Sequence, residues 1–415
     1  MSQTLVIIGG GAAGFFCAVN AARMNPSLKV IILEKQDKVL QKVKVSGGGR
    51  CNVTHACFQL SELTKRYPRG QKMLKKTLSE FGPQDTIDWF KQRGVPLHTE
   101  PDGRMFPDTN RSQSIIDALL KEADQYQVQL SLKSDVRTIQ MEGKKFVISC
   151  HNGNTYLADQ LFVACGGFPK REQYHWLESL GHRIEMPVPS LFTFNIPKHP
   201  INELMGLSVN NAVVKINGTK LREEGPLLIT HWGMSGPVIL KLSAWGAREL
   251  ADRHYHFSIS VNWIHRSESE LREDWNGLRI AQGSGILGHK NPFGLPSRLW
   301  SYFLKEAGIT EETRWSELQA KLQNRLIHVL TAQEFDVNGK TTFKEEFVTC
   351  GGISLQEVDA ATMESKIVPG LYFGGEILDV DGITGGFNFQ HAWASGYLAA
   401  KATAGINLNS SNSSL

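Results

Sequence analysis

The sequence predicts an α/β protein built on a parallel sheet with helices packed on its faces. Residues 4–8 (TLVII) and 29–33 (KVIIL) are unalternating runs of Val, Ile and Leu, the pattern of strands buried on both faces. Between them an Ala-rich stretch reads as a helix to about Met24, so strand, helix and strand form one βαβ unit. Apolar strands of the same kind return at 161–165 (LFVAC) and 371–374 (LYFG). The composition changes between these two, starting at Pro187 and Pro189.

The other elements follow in order. Residues 71–93 and 111–126 read as helices, the second with Ile115, Ile116, Leu119 and Leu120 at helical spacing. Residues 128–132 (VQLSL) read as a strand. Residues 145–150 and 155–158 flank the turn His151-Asn152-Gly153-Asn154, a hairpin signal. From 190 to about 263 several β runs, an Asn217-Gly218 turn and a helix near 237–251 are expected. Residues 267–333 are polar and helical, with turns at Gly283-Ser284-Gly285 and Asn291-Pro292, and the β pattern resumes near 341. A last helix is expected over about 389–402, then a polar tail ending NLNSSNSSL that reads as disordered over 406–415.

Composition excludes several classes. Of 415 residues 41% are hydrophobic and 21% charged, enough apolar material for a core and for two or three domains. The net charge of +4 does not argue for a polyanionic or membrane partner. No stretch approaches 18 apolar residues, and MSQTLVIIGGGAAG has neither a basic start nor a long apolar run. The six cysteines make no CxxC pair, so a reduced, cytoplasmic protein is expected. Asn52-Val53-Thr54 and Asn217-Gly218-Thr219 then read as chance glycosylation matches.

The first motif follows the first strand. Gly9-Gly10-Gly11-Ala12-Ala13-Gly14 fits G-x-G-x-x-G, the dinucleotide fingerprint of a Rossmann-type fold. Gly9 permits the tight turn, and Gly11 lets the backbone approach a pyrophosphate at the helix N-terminus. Gly14 lets helix and sheet pack closely. Glu34 stands 20 residues after Gly14, where a carboxylate accepts hydrogen bonds from an adenosine ribose, and Lys35 adjoins it.

Later segments favour FAD over a nicotinamide as the bound dinucleotide. The 145–158 hairpin leading into LFVACGGFP (161–169) is typical of flavoproteins with two dinucleotide motifs. Val136, Ala164 and Gly166 in this region are expected cofactor contacts. Near the C-terminus a strand again ends on glycines and an acid, Gly374-Gly375-Glu376, followed by Asp381, Gly385, Gly386, Phe387, Asn388 and Phe389. Glu376 is expected near a ribityl chain. The glycine-lined helix start is expected at the flavin pyrimidine edge, where N–H groups stabilise the charge of the reduced ring. Ser46, Gly47, Gly48, Arg50, Cys51 and Asn52 make a backbone-donor loop with a cation, suited to the diphosphate or the flavin edge; the alternative is a plain surface turn. Cys51 lacks a nearby partner for a catalytic disulfide.

Other features are weighed against bland readings. Thr230 to Pro237 opens a helix and offers either an anion site or a cap, with His231 active in the first and structural in the second. His254 and His256, spaced to share a strand face, read as solvent-facing and not as a zinc site, and no metal is expected. Gly339-Lys340-Thr341 evokes a phosphate loop, but Glu334 stands where its first glycine belongs. There is no H-E-x-x-H and no G-x-S-x-G. Lys65, Arg66, Arg69, Lys72, Lys75 and Lys76 alternate with Met73, Leu74 and Leu78 and read as a solvated helix face.

GGGAAG, Glu34-Lys35, SGGGRCNVTH (46–55), GRMFP (103–107), THWGMSGP (230–237) and GLYFGGEILDVDGITGGFNFQHAWASG (370–396) closely resemble the BaiN/YhiN-like family. Its members are bacterial NAD(P)/FAD-dependent oxidoreductases, some aminoacetone oxidase-like, with differing substrates. The resemblance runs over essentially the whole chain. It implies a Rossmann-type FAD domain interrupted by an insert with a β-rich and a helical part. The expected boundaries are 1–189 with 342–405 for the FAD domain, and 190–266 and 267–341 for the two parts of the insert. The expected activity is hydride transfer between NAD(P)H or a small organic substrate and the flavin, with Arg104, His231 and Asp381 as candidate acid–base groups. The competing readings are an O2-using oxidase of small amines and a non-catalytic, flavin-bound RNA-associated or regulatory protein. Nucleic acid is not the expected partner.

Overall fold

The computed structural model describes residues 3–341 and 348–406. They form two units, residues 3–190 with 348–406 and residues 191–341.

The first unit begins with β1 (Thr4–Ile8), α1 (Ala12–Met24), β2 (Lys29–Leu33), α2 (Gln41–Gly49) and the short β3 (Thr54–His55). There follow α3 (Leu60–Thr64), α4 (Gln71–Glu80), α5 (Pro83–Lys91), β4 (Leu97–Thr99), β5 (Arg104–Pro107) and α6 (Ser112–Gln125). Next come β6 (Gln129–Ser131), β7 (Val136–Glu142), β8 (Lys145–Cys150), β9 (Thr155–Ala158), β10 (Gln160–Val163), α7 (His175–Glu178) and β11 (Ile184–Ser190).

The second unit carries β12 (Thr193–Asn195), β13 (Ser208–Ile216), β14 (Arg222–Thr230), β15 (Gly233–Ser235), α8 (Pro237–Trp245), α9 (Ala247–Asp252) and β16 (His256–Asn262). It ends with α10 (Glu268–Gln282), α11 (Ser297–Ala307), α12 (Ala320–Ala332), β17 (Gln333–Asn338) and β18 (Lys340–Thr341). The chain returns to the first unit as β19 (Val348–Ile353), β20 (Leu371–Phe373) and α13 (Phe387–Thr403).

The central sheet of the first unit runs β20-β10-β1-β2-β6, every pair parallel. Leu5 to Ile8 and Val30 to Leu33 are all buried, which is why these strands show no alternation. Helix α1 packs on α13 at close range. A Cβ on Gly396 would lie 2.7 Å from the Ala13 carbonyl, so only glycine admits this approach. Phe16 sits between them against Trp393 at 5.2 Å and Trp89 at 4.6 Å. Buried Gln390 of α13 accepts hydrogen bonds from Thr54 at 2.6 Å and Thr86 at 2.9 Å, and donates to the Phe81 carbonyl at 3.2 Å. One amide thus ties the last helix to three earlier segments.

The second unit is a seven-stranded antiparallel sheet, β17-β16-β13-β14-β15-β12-β18, with α8 and the helical stretch around a shared apolar core. Trp263, Trp275, Trp300 and Trp315 are buried in that core, and Gly218 takes the positive φ of +74° in the β13–β14 turn.

Several expectations need correction. The helix expected over 71–93 is two helices. Pro83 cannot donate to continue the first, and Asp85 caps the second by accepting from the Gly82 N–H at 2.7 Å. The helix expected near 237–251 breaks at Gly246 into α8 and α9. His254 and His256 do not share a strand face: His254 turns with φ +52° before β16 begins at His256. The hairpin at 145–158 has a third strand, β7, which carries alternation too weak to notice. The strands expected at 128–132, 161–165 and 371–374 are shorter, and the last helix starts at Phe387. The tail from 407 lies outside the described residues. Among the described residues, no helix is long and apolar enough to cross a membrane.

Candidate functional site

The glycine turn after β1 explains two of its glycines by packing alone. The Gly9 N–H donates to the Leu33 carbonyl at 2.8 Å with φ +110°, and a Cβ there would lie 2.4 Å from the Ala164 carbonyl. A Cβ on Gly14 would lie 1.9 Å from the Gly9 carbonyl. Gly11 is different. Its φ of −92° and ψ of −167° suit any residue, and a Cβ there would meet nothing within 4 Å. No side chain caps the start of α1, where Ala12, Ala13 and Gly14 present the first-turn N–H groups. The open space over Gly11 and an uncapped helix start fit a bound diphosphate. Glu34 holds this turn from the side: Oε2 accepts the Gly10 N–H and Oε1 the Gln36 N–H, both at 2.8 Å. Lys35 lies 5.7 Å from the Phe168 ring. Gly166 takes φ +79° with open space beside it, and Val136 starts β7 two residues after Ser134, whose N–H reaches the Glu34 carbonyl.

The loop Ser46–Asn52 interrupts the helical path of α2. Ser46 is extended (ψ 148°), while Gly47 and Gly48 take φ +58° and +67°. Arg50 stacks 4.0 Å from the Phe106 ring centre and pairs with Glu100 at 2.6 Å. Cys51 is buried at φ +62°, and burial pushes its thiol up to about 12. At neutral pH it therefore stays a thiol. With its amide oriented to satisfy both ends, Asn52 donates to the Thr54 carbonyl and accepts the Gly386 N–H, each at 3.0 Å. This residue brings the loop against the C-terminal turn.

That turn is held from all sides. The Gly375 N–H donates to Ser395 Oγ at 2.9 Å, and its carbonyl lies 3.2 Å from His391 Nε2. His391 is fully enclosed, and burial pulls its pKa down to about 4, so it is neutral and serves as donor to Gly375. Asn388 clamps Gly382, accepting its N–H at 2.8 Å and donating to its carbonyl at 3.0 Å. Tyr67 Oη donates to the Phe387 carbonyl at 2.8 Å. Gly385 and Gly386 take φ +129° and +92°, and no side chain caps the start of α13. Phe389 stacks on Trp393 at 5.7 Å, and the Phe387 ring on His55 at 4.7 Å.

The model of the HI0933-like protein Rossmann domain matches residues 3–402. The chain belongs to the HI0933-like family. It is 31% identical over 406 residues to the ribosomal RNA dihydrouridine synthase of Escherichia coli strain K12, covering 95% of this chain and 96% of that one. It is 29% identical over 408 residues to the 3-dehydro-bile acid delta(4,6)-reductase of Clostridium scindens, covering 96% and 98%. Among solved structures, the 3-ketosteroid delta1-dehydrogenase of Sterolibacterium denitrificans superposes with a TM-score of 0.52 at 14% identity, over 98% of this chain and 100% of that one. The 3-ketosteroid-delta4-(5alpha)-dehydrogenase of Rhodococcus jostii RHA1 gives 0.50 at 14%, over 96% and 97%. These two share the fold. The HI0933-like chain has the Rossmann-type FAD-binding fold and is an oxidoreductase of the FAD-dependent class.

The three candidate acid–base groups have different surroundings. Arg104 pairs with Glu100 at 2.9 Å and Asp102 at 2.7 Å. Asp381 is buried in an ion pair with Arg69 and accepts from Ser190 at 2.7 Å; burial raises its pKa against the pull of Arg69. His231 stands in the second unit, in the turn between β14 and β15, with its ring against Trp232. The sequence reading missed His55, Tyr67, Arg69, His391 and Ser395. His55 closes the 46–55 segment, and nothing in its spacing marks it. Burial lowers its pKa, and its buried Nδ1 meets no partner among the described residues.

Proposed function

We propose that this HI0933-like protein is an FAD-dependent reductase that saturates a carbon–carbon double bond conjugated to a carbonyl. The observation that carries the cofactor reading is Gly11, whose missing side chain answers no demand of the protein's own packing. In this reading Gly9, Gly11, Ala12, Ala13 and Gly14 cradle the diphosphate, and Glu34 with Lys35 holds the adenosine end. The Ser46–Asn52 loop and the Gly385–Phe389 turn carry the flavin, with Val136, Ala164, Gly166 and Gly375 along its length. Bound there, FAD would supply hydride chemistry, with a nicotinamide as its electron source. The chain's part is to orient the ring and to aim N–H groups of the α13 start at developing negative charge.

The bond class is supported by chemistry common to the relatives' names. Making dihydrouridine and reducing a delta(4,6) bile acid both add two hydrogens across a double bond conjugated to a carbonyl. A uracil ring in RNA is the first substrate to try, because Arg66, Lys72, Lys75 and Lys76 are exposed and form no ion pair among the described residues. A 3-keto-4,6-diene steroid is the second.

The test is anaerobic bleaching of the FAD-loaded protein with NADH or NADPH, followed by addition of uridine-containing RNA or the steroid diene. Return of colour with stoichiometric saturated product is expected. Bleaching by small amines alone, with colour restored only by O2, would replace this reading with an amine oxidase.

A further inference from the structure

Two carboxylates of the C-terminal segment repeat one pattern. Glu376 Oε1 accepts the Thr349 N–H at 2.9 Å, and Oε2 pairs with Lys42 Nζ at 2.7 Å. Asp381 accepts the Ser190 hydroxyl at 2.7 Å and is gripped by Arg69 through two nitrogens. Each acid therefore joins one cation of the N-terminal region to one connecting strand. Ser190 ends β11, after which the chain enters the second unit, and Thr349 lies in β19, by which it has returned.

The backbone strengthens this seam. β11 and β19 pair with each other, Ser190 opposite Val348 and Pro189 opposite Thr349. Ile353 bridges to Leu378, and the Asp379 N–H reaches the Ile353 carbonyl at 3.1 Å. Gly352 lies so close to the segment that a Cβ would come within 2.3 Å of the Ile377 carbonyl.

The same two cations border the glycine loops. Lys42 stands in α2, four residues before Ser46. Arg69 precedes Gly70, whose missing side chain makes room for Val380. On the far side of Asp381, Asn388 fixes Gly382 at the root of the Gly385–Gly386 turn. Arg69 grips both oxygens of Asp381, so a shift of the one is felt by the other. The Asp381 side chain is 0% exposed, so it has no water to replace a lost cation.

We infer that Asp381 is a positioning residue that couples cofactor binding at the glycine loops to the rigidity of β11, while β19 is tied to the same segment chiefly through its backbone, by the Thr349 N–H on Glu376 and the Ile353–Leu378 bridge. The inference rests on the FAD reading above. The coupling is asymmetric. Lys42 is half exposed and its pair with Glu376 is weak, whereas the Arg69–Asp381–Ser190 link is enclosed. β11 therefore depends on its side-chain link more than β19 does.

The experiment is amide hydrogen exchange on the full-length protein with and without saturating FAD, reading peptides that cover 184–190 and 348–353. FAD slows exchange in both strands at least fivefold in the native protein. Ser190→Ala, which leaves the Arg69–Asp381 pair intact, loses most of that slowing in 184–190 and keeps most of it in 348–353. Lys42→Ala changes neither strand by more than twofold. FAD uptake without slowing in either strand overturns the coupling alone, as does full slowing of 184–190 in Ser190→Ala. A protein that takes up no FAD by titration overturns the cofactor reading and the coupling with it.

Discussion

The two glycine turns of the first unit are built in opposite ways. The turn at Gly9–Gly14 is held mainly by its own sheet: Leu33, Glu34 and Ala164 lie in strands adjacent in that sheet or just beyond their ends, and α13 adds the close approach of Gly396 to Ala13. The turn at Gly375–Phe389 is held by Asn388, His391 and Ser395 of α13 and, from distant parts of the chain, by Asn52, Thr54, Tyr67, Arg69 and Ser190. The first uses backbone and sterics and has one carboxylate beside it. The second uses side chains, among them two carboxylates and a buried histidine. The lesson is that a helix start aimed at a ligand can be made rigid by a short βαβ unit, or by assembling remote polar groups at one buried point. The second route makes the turn sensitive to charge.

The largest effect should come from breaking that charge arrangement. Arg69→Ala leaves Asp381 buried and unpaired, which should cost about 3–5 kcal/mol of stability. A urea series on native and variant proteins measures it. A loss below about 1 kcal/mol would mean the two turns do not differ in the way proposed. Arg69→Lys should recover part of the loss, since a lysine retains the charge but not the two-nitrogen grip.

The same contrast governs what was legible in the sequence. Gly9, Gly11, Gly14 and Glu34 announce themselves because their spacing is short, and Gly9, Gly14 and Glu34 each answer one steric or hydrogen-bonding demand. The glycines at 385 and 386 are visible too, as composition. What shapes them is not. Arg69 lies 312 residues from Asp381 and was read as part of a solvated basic face. Tyr67 lies 320 residues from Phe387, and Ser190 gave no signal beyond its place at a composition break. Periodicity also ran through Gly82-Pro83 as one helix, although the proline there is the plainest local mark of a new start.

A pH effect of intermediate size should come largely from the C-terminal turn. The folded pKa of His391 is about 4, below the ordinary value of 6.5. Between these values the unfolded chain binds the proton and the folded one does not, so stability is lost as pH falls from 6.5 toward 4. The contribution is about 3 kcal/mol across that window. His391→Gln should flatten the dependence of the urea midpoint between pH 7 and 4.5, leaving the slope due to His55, His182 and His199, whose pKa values burial also lowers. An unchanged slope would remove His391 from the account.

A smaller effect should separate ligand from packing in the N-terminal turn. Gly11→Ala should leave the urea midpoint within about 0.5 kcal/mol, because the added methyl meets open space. It should weaken FAD about tenfold, or about 1.4 kcal/mol, by occupying the place of the diphosphate. Gly14→Ala, which drives a carbon to 1.9 Å from the Gly9 carbonyl, should damage folding itself. If Gly11→Ala binds FAD as tightly as the native protein, the open space is not the diphosphate site.

The smallest effect tests whether burial, not charge alone, sets the contrast. Lys42 and Glu376 form an ion pair at 2.7 Å, as Arg69 and Asp381 do, but the lysine side chain is 49% exposed and the glutamate 18%. Water and salt screen such a pair, and its lysine gives up chain freedom to make it. When Lys42 is removed, Glu376 still has water on one side and the Thr349 N–H at 2.9 Å on the other. Lys42→Ala should therefore cost under about 1 kcal/mol, and less as salt is raised. Urea midpoints at 0.05 and 0.5 M salt read both quantities. A loss equal to that of Arg69→Ala, and insensitive to salt, would show that the exposed pair carries as much as the enclosed one. The two acids would then have to be ranked equal as anchors of the C-terminal turn.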